Sequence, residues 1–131
     1  WAGKQSTLYP SDPSAALLVD FVMETANEIL GKTPSPPDQD EKKKAREEYS
    51  QSGFMFKAMT ALEAKFDESG FCTGSLTVAE LVMYGVVDMV LNGDFDYVLP
   101  SYMDGFPKLK AMHSTVKSDP LVVAYFAEYK S

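Results

Sequence analysis

The chain has 131 residues, of which 45% are hydrophobic and 24% are charged, and its formal net charge at pH 7 is −7. This length fits one domain with a single core, and the composition is ordinary for a globular protein. The negative charge argues against nucleic acid and anionic membrane surfaces as partners, because both need a basic face. No apolar run approaches the roughly 20 residues that span a bilayer.

The start of the chain and its single cysteine and histidine bear on its origin, its cellular location and its chemistry. It starts at Trp1 without an initiator methionine or a signal peptide, which favours a piece of a longer protein. The only cysteine, Cys72, cannot form an internal disulfide, so a reducing, cytoplasmic location is predicted. One histidine and one cysteine cannot build a zinc site unless carboxylates help, and they do not indicate a histidine-based catalytic triad.

The first predicted helix follows a short linker. Residues 1–12 include Gly3 and Pro10 and lack a helical period, which predicts a linker ahead of a domain covering residues 13–131. Asp12-Pro13 is a helix start, because aspartate caps the free amides and proline is accepted at the first helical position. Apolar residues then recur every three or four positions, and Gly31 is placed to end the helix.

A second helix is predicted after a loop with three prolines at residues 32–37. Asp38 can cap it, and its first turns carry a mixed-charge run at residues 40–48 that is typical of a solvated face. An apolar stripe follows, so one continuous helix is expected to reach about Asp67, with Gly70 beyond its end.

The third helix has the clearest start. Thr77 is placed to cap the amide of Glu80, and the Glu80 carboxylate can return to the amide of Thr77, which is a capping box. Leu76 and Leu81 occupy the positions of a hydrophobic staple. From Leu81 to residue 91 the sequence is apolar nearly all round, which predicts a central helix surrounded by other helices.

The rest of the chain completes an all-α prediction. Residues 92–100 break the central helix. A fourth helix is expected from Asp104-Gly105-Phe106-Pro107 to about Ser118, and a fifth from Asp119-Pro120 to Tyr129. There is no alternating strand pattern and no repeat, so the predicted fold is a single bundle of five or more helices around a buried central helix.

Two residues that could carry chemistry are interpreted as structural. His113 lies in the middle of the fourth helix beside lysines and is predicted to be an exposed helix residue, not a general base. Cys72 has no cation next to it in sequence and is predicted to be a partly buried structural thiol, not a reactive one.

An acidic stripe on the first helix is less easily explained. Asp20, Glu24 and Glu28 recur at four-residue spacing, and no lysine or arginine lies between Pro13 and Gly31. Like charges at this spacing destabilise a helix by roughly 0.2–0.5 kcal/mol per pair. The stripe is either a solvated acidic face or a site for a cation from elsewhere. That cation could be a basic side chain of another domain or subunit, a metal ion, or the amino group of a ligand.

The order of these features resembles the C-terminal domain of cytosolic glutathione S-transferases, most closely the sigma class. The resemblance covers nearly the whole chain. It rests on Ala2-Gly3-Lys4 before the linker, Val19-Asp20-x-x-x-Glu24-Thr25, Gly74-x-Leu76-Thr77-x-Ala79-Glu80-Leu81, Asp104-Gly105-Phe106-Pro107-Lys108-Leu109, Pro120 and Tyr125. Glu80 stands where the family more often has aspartate.

The resemblance implies a glutathione-binding, thioredoxin-like domain ahead of this chain, with the thiol-activating tyrosine or serine in that domain and no catalytic residue here. It implies a homodimer in which Glu24, with Asp20 one turn before it, meets the glutathione amino group across the subunit boundary. Glutathione is then a co-substrate, and no cofactor is bound permanently. Asn27, Leu30 and Pro34 would wall the pocket of the second substrate.

Three functions fit these expectations. The first is a glutathione S-transferase that conjugates glutathione to small hydrophobic electrophiles, with this fragment inactive alone. The second is a non-catalytic domain of the same fold that acts as a scaffold in translation or tRNA synthetase complexes. The third is a free-standing acidic helical adaptor. The resemblance implies that Thr77 and Glu80 have structural roles, as part of a folding nucleus.

Overall fold

The computed structural model describes residues 8–120 and 122–124 of the chain. Within this part the helices are α1 (Pro13–Gly31), α2 (Gln39–Gln51), α3 (Phe54–Glu63), α4 (Val78–Leu91), the 3₁₀ helix Pro100–Gly105 and α5 (Pro107–Ser118). The described residues contain no strand, which confirms the all-α prediction. None of their helices is both long and apolar enough to cross a membrane.

Helix α1 begins where the sequence predicts, but Gly31, which is predicted to lie at C′ beyond the end of the helix, is its last helical residue, and Lys32 is the C-cap. The Asp12 carboxylate accepts a hydrogen bond from the amide of Ala15 at 2.9 Å, so the cap is formed by the predicted residue. The proline-containing loop leads to α2, whose cap is the Asp38 carboxylate bonded to the amide of Glu41. The Tyr49 hydroxyl of α2 donates to the carbonyl of Ile29, which ties α2 to the end of α1.

The single helix predicted from Asp38 to Asp67 is wrong, because the chain breaks at Gly53 and α3 ends at Glu63. The amide of Gly53 turns back to the carbonyl of Glu48 at 2.8 Å, and its own backbone is extended. A Cβ at this position would lie 3.0 Å from the Tyr49 Cα. The close approach favours glycine at this break between the two helices.

Helix α4 is the centre of the bundle, as predicted. It packs against α1, α5 and the 3₁₀ helix. Its buried residues are Val78, Ala79, Glu80, Met83, Val86, Val87 and Val90. One side remains open, because Leu81 is 36% exposed and Gly85 is exposed. The burial of this apolar helix from most sides contributes a large part of the hydrophobic stabilisation of the domain.

The final part of the described chain matches its prediction with one addition. A 3₁₀ helix precedes α5, and α5 begins at Pro107. The Glu63 carboxylate of α3 accepts the amides of Lys108 and Leu109 at 2.8 and 2.9 Å, so a distant side chain caps α5. Residues 120 and 122–124 are helical, and the remainder of the predicted fifth helix lies outside the described residues.

Candidate functional site

The acidic stripe of α1 lies on the surface of the bundle. The opposite face of α1 is buried, with Val19, Val22, Thr25, Ala26 and Ile29 against the core. This register leaves Asp20, Glu24 and Glu28 exposed. The three carboxylates therefore share one accessible face, as their four-residue spacing predicts.

The structure gives these three carboxylates different surroundings. Asp20 accepts a hydrogen bond from the Tyr9 hydroxyl at 2.8 Å. Glu28 forms an ion pair with Lys32 at 3.0 Å, in which both side chains are about half exposed. Glu24 has no hydrogen-bond or ion-pair partner among residues 8–120 and 122–124. Of the three, Glu24 is the carboxylate available to a group from outside the described chain.

The residues predicted to wall a substrate pocket lie along the end of α1 and the loop after it. Asn27 is exposed, and Leu30 is 41% exposed although it is a large apolar side chain. Pro34 is half-buried and borders a cleft of about 430 Å³ between this loop and the α2–α3 junction. The other residues that line this cleft are Lys32, Ala45, Glu48, Tyr49, Ser52 and Gly53. Asn27 and Leu30 do not line it.

The start of α4 contains a fully satisfied buried carboxylate. Glu80 is 0% exposed. One of its oxygens accepts hydrogen bonds from the amide and hydroxyl of Thr77 at 2.6 and 2.7 Å, and the other from the amide and thiol of Cys72 at 3.2 and 3.0 Å. Both halves of the capping box are present. Four donors offset the loss of hydration that a buried carboxylate suffers.

Cys72 is part of this cluster and not a reactive centre. Its side chain is half-buried and free of any disulfide. Burial raises the pKa of the Cys72 thiol far above its ordinary value, and the hydrogen bond to Glu80 and the charge of that carboxylate raise it further. A thiol held protonated in this way is a poor nucleophile, in agreement with its predicted structural role.

A comparison with known protein families identifies the family to which this helical domain belongs. A family model described as Glutathione S-transferase, C-terminal domain, matches residues 24–129. The chain belongs to that family. A search of curated proteins finds no match to it.

In this glutathione S-transferase C-terminal domain, the environment of His113 is the clearest error of the sequence prediction. His113 is buried, with 8% of its surface exposed, and it was predicted to be exposed. Its Nε2 lies 2.9 Å from the Asp88 carboxylate, and its ring stacks on Tyr84 at 4.6 Å between centroids. The missed signal is the spacing of Leu109 and Val116, which places His113 on the apolar face of α5.

Sequence reasoning also missed the segment before α1. Leu8 and Tyr9 are partly buried and pack against the core of this domain. The Leu8 carbonyl accepts the amide of Val78 at 2.9 Å, and the Tyr9 hydroxyl reaches Asp20. No local pattern in the sequence predicts these contacts, because each partner lies at least eleven residues away.

A second cleft, of about 510 Å³, lies between α2 and the segment that follows α4. Tyr97 borders it with a backbone φ of 68°, a conformation that is rare for a bulky residue. Its hydroxyl donates to the Gln39 side chain at 3.0 Å, which helps to hold this backbone.

Among the described residues, no three histidine, cysteine, aspartate or glutamate side chains are grouped so that they could hold a metal ion.

Proposed function

We propose that this domain is the C-terminal half of a cytoplasmic, dimeric glutathione S-transferase of sigma-like type. In this proposal, an N-terminal domain of the longer protein binds glutathione and activates its thiol. The thiolate then forms a carbon–sulfur bond with a small hydrophobic electrophile, which either releases a leaving group as an anion or, in an addition to an activated double bond, takes up a proton at the neighbouring atom. The domain described here supplies a carboxylate for glutathione and an apolar wall for the electrophile.

The observation that carries the proposal is that Glu24 is exposed and unpaired among the described residues. Its carboxylate is exposed on a helix without a basic residue between Pro13 and Gly31, and no described residue pairs with it. An ammonium group is the natural complement of such a carboxylate, and the γ-glutamyl amino group of glutathione is an ammonium group at neutral pH. We therefore assign the contact with glutathione to Glu24, from the partner subunit of the dimer.

The apolar wall is proposed for the end of the same helix. Leu30 exposes much of an apolar side chain six residues beyond Glu24, about 1.7 helical turns, with Asn27 between them and Pro34 in the loop that follows. A bound electrophile would cover this apolar surface and be held close to the thiolate. Proximity of this kind lowers the activation free energy of a two-substrate reaction by several kcal/mol, and by about 7 in favourable cases.

The test is binding of the longer protein to immobilised glutathione. We expect retention on the resin and elution by free glutathione. Glu24→Gln should weaken glutathione binding about tenfold, because a charge-assisted hydrogen bond becomes a neutral one. Glu28→Gln is the matched control, since Glu28 is on the same face but is already paired with Lys32. We expect little change in this control.

Two results would overturn the proposal. Failure of the unaltered longer protein to bind glutathione would favour the scaffold function. An equal loss in the Glu24 and Glu28 variants would show that only the general negative charge of α1 matters. Sedimentation or native mass of the longer protein tests the dimer separately.

A further inference from the structure

The segment before α1, residues 8–12, is bound to two helices. The Leu8 carbonyl accepts the amide of Val78, the first residue of α4, at 2.9 Å. One residue later, the Tyr9 hydroxyl donates to the Asp20 carboxylate in the middle of α1, at 2.8 Å. The side chains of Leu8 and Tyr9 also pack against the core. The segment therefore bridges the central helix and the helix that carries Glu24.

The bond between Tyr9 and Asp20 is directional and charge-assisted. A hydroxyl that donates to a carboxylate forms a stronger bond than a neutral pair. The same bond raises the pKa of the Tyr9 phenol, since a phenolate would lose it and face the charge of Asp20. A tyrosine hydroxyl is protonated at neutral pH, so Tyr9 is the donor of this hydrogen bond.

This contact divides the roles of two neighbouring carboxylates. Asp20 and Glu24 lie one helical turn apart on the same face. Tyr9 engages the first, while the second has no partner among the described residues. The Tyr9 hydroxyl occupies one oxygen of Asp20, which leaves fewer acceptor sites there for an ammonium group than at Glu24, where both oxygens are without a partner among the described residues.

We propose that Tyr9 is a positioning residue, which acts through Asp20 to hold the segment at residues 8–12 against α1 and α4. This inference rests on the proposed function. The start of the domain is thereby held in a fixed position relative to α1, whose Glu24 is proposed to meet the glutathione of the partner subunit. Asp20 then serves the segment and does not contact glutathione, in contrast to the shared role that the family resemblance implies.

The first experiment measures the segment itself, by amide hydrogen exchange at Val78 in the longer protein. Tyr9→Phe keeps the aromatic ring and removes only the donor. It should raise exchange at Val78 about fivefold, the ratio expected from the loss of one surface-accessible hydrogen bond. Tyr97→Phe is the matched control, because it removes a hydroxyl bonded to the Gln39 side chain at 3.0 Å, remote from the segment. We expect Val78 exchange to stay unchanged in this control.

The second experiment separates positioning from direct contact, by the Michaelis constant for glutathione. Tyr9→Phe and Asp20→Ala should each raise it about fivefold and change kcat less than twofold. Asp20→Asn removes the charge but keeps an oxygen that can accept from Tyr9, so it should retain most of the native affinity. A loss in Asp20→Asn equal to that in Asp20→Ala would show that the Asp20 charge meets glutathione directly, and would overturn the proposal.

The two measurements also keep this inference apart from the proposed function. Unchanged Val78 exchange in Tyr9→Phe overturns the positioning role, whether or not the protein binds glutathione. Faster Val78 exchange in Tyr9→Phe with an unchanged Michaelis constant would show that Tyr9 holds the segment without any effect on glutathione binding. That result also overturns the proposal. Failure of the unaltered protein to bind glutathione overturns the proposed function, while the exchange measurement still decides whether Tyr9 holds the segment.

Discussion

Two glutamates of this domain lie in opposite surroundings, one buried and one exposed. Glu80, at the start of α4, is fully buried and accepts four hydrogen bonds from Thr77 and Cys72. Glu24, on the outer face of α1, is exposed and has no partner in the described chain. The first carboxylate is committed to the fold and cannot reach a ligand. The second contributes little to the fold and is free to recognise one.

The difference follows from the energetics of burial. A carboxylate that leaves water must recover its hydration through hydrogen bonds, so its donors become essential once it is buried. An exposed carboxylate keeps its water, and its interactions with other surface charges are weak and screened by salt. Substitutions at the start of α4 should therefore change stability, and substitutions on the outer face of α1 should change binding.

The largest expected effect is that of Glu80→Ala. It leaves the buried amide of Thr77 and the half-buried amide of Cys72 without an acceptor, and we expect the free energy of unfolding to fall by about 3 kcal/mol. Urea unfolding followed by circular dichroism measures the change. Glu48→Ala is the control, because Glu48 is exposed on α2, and it should change stability by less than about 0.5 kcal/mol. Equal effects in the two variants would contradict the comparison.

The next effect concerns the reactivity of Cys72. Because burial and Glu80 raise the pKa of the thiol, little thiolate is present at pH 8. We expect alkylation of the folded chain by iodoacetamide to be at least about tenfold slower than that of the chain unfolded in urea, since only the thiolate reacts. Glu80→Gln should speed the reaction of the folded chain by removing the negative charge. Equal rates in the folded and unfolded chains would show that the thiol is not protected.

Thr77→Ala tests the other member of the cluster and should have a smaller effect. The Thr77 hydroxyl accepts from the amide of Ala79 at 3.2 Å and donates to Glu80, but the Glu80 carboxylate keeps its other donors. We expect a loss of about 1 kcal/mol of stability, and at most about 2. Thr60→Ala is the control, because the Thr60 hydroxyl bonds to a carbonyl within its own exposed helix turn. A melting temperature unaffected by Thr77→Ala would contradict the role of the cap.

What the sequence predicts about this fold is mostly local. Asp12-Pro13 and the pair Thr77 and Glu80 act within one helical turn, so their residue types alone place the starts of α1 and α4. The break at Gly53 and the burial of His113 depend on residues that meet only after folding. The local signals for them are weak: a single glycine within a helical pattern, and a histidine on an apolar stripe with lysines close by in sequence.

The candidate site divides in the same way. The four-residue spacing of Asp20, Glu24 and Glu28 predicts one shared acidic face, because helix geometry is local. Which carboxylate stays unpaired depends on Tyr9 and Lys32, and the eleven-residue separation of Tyr9 from Asp20 hides their contact from any helical pattern. The sequence therefore indicates the stripe, and the structure is needed to distinguish its members.

The smallest expected effect is that of Glu24 on stability, and it has the opposite sign. Glu24→Gln removes one charge from a stripe of like charges while it keeps nearly the same helix propensity. We expect the free energy of unfolding to rise by about 0.3 kcal/mol at low salt. The gain should vanish in about 1 M salt, where charges are screened beyond about 3 Å. Glu48→Gln serves as the control, because Lys44 lies four residues before Glu48 on α2 and loss of the negative charge removes an attraction instead. A loss of stability in Glu24→Gln would mean that this carboxylate holds the fold together, and would remove the contrast with Glu80.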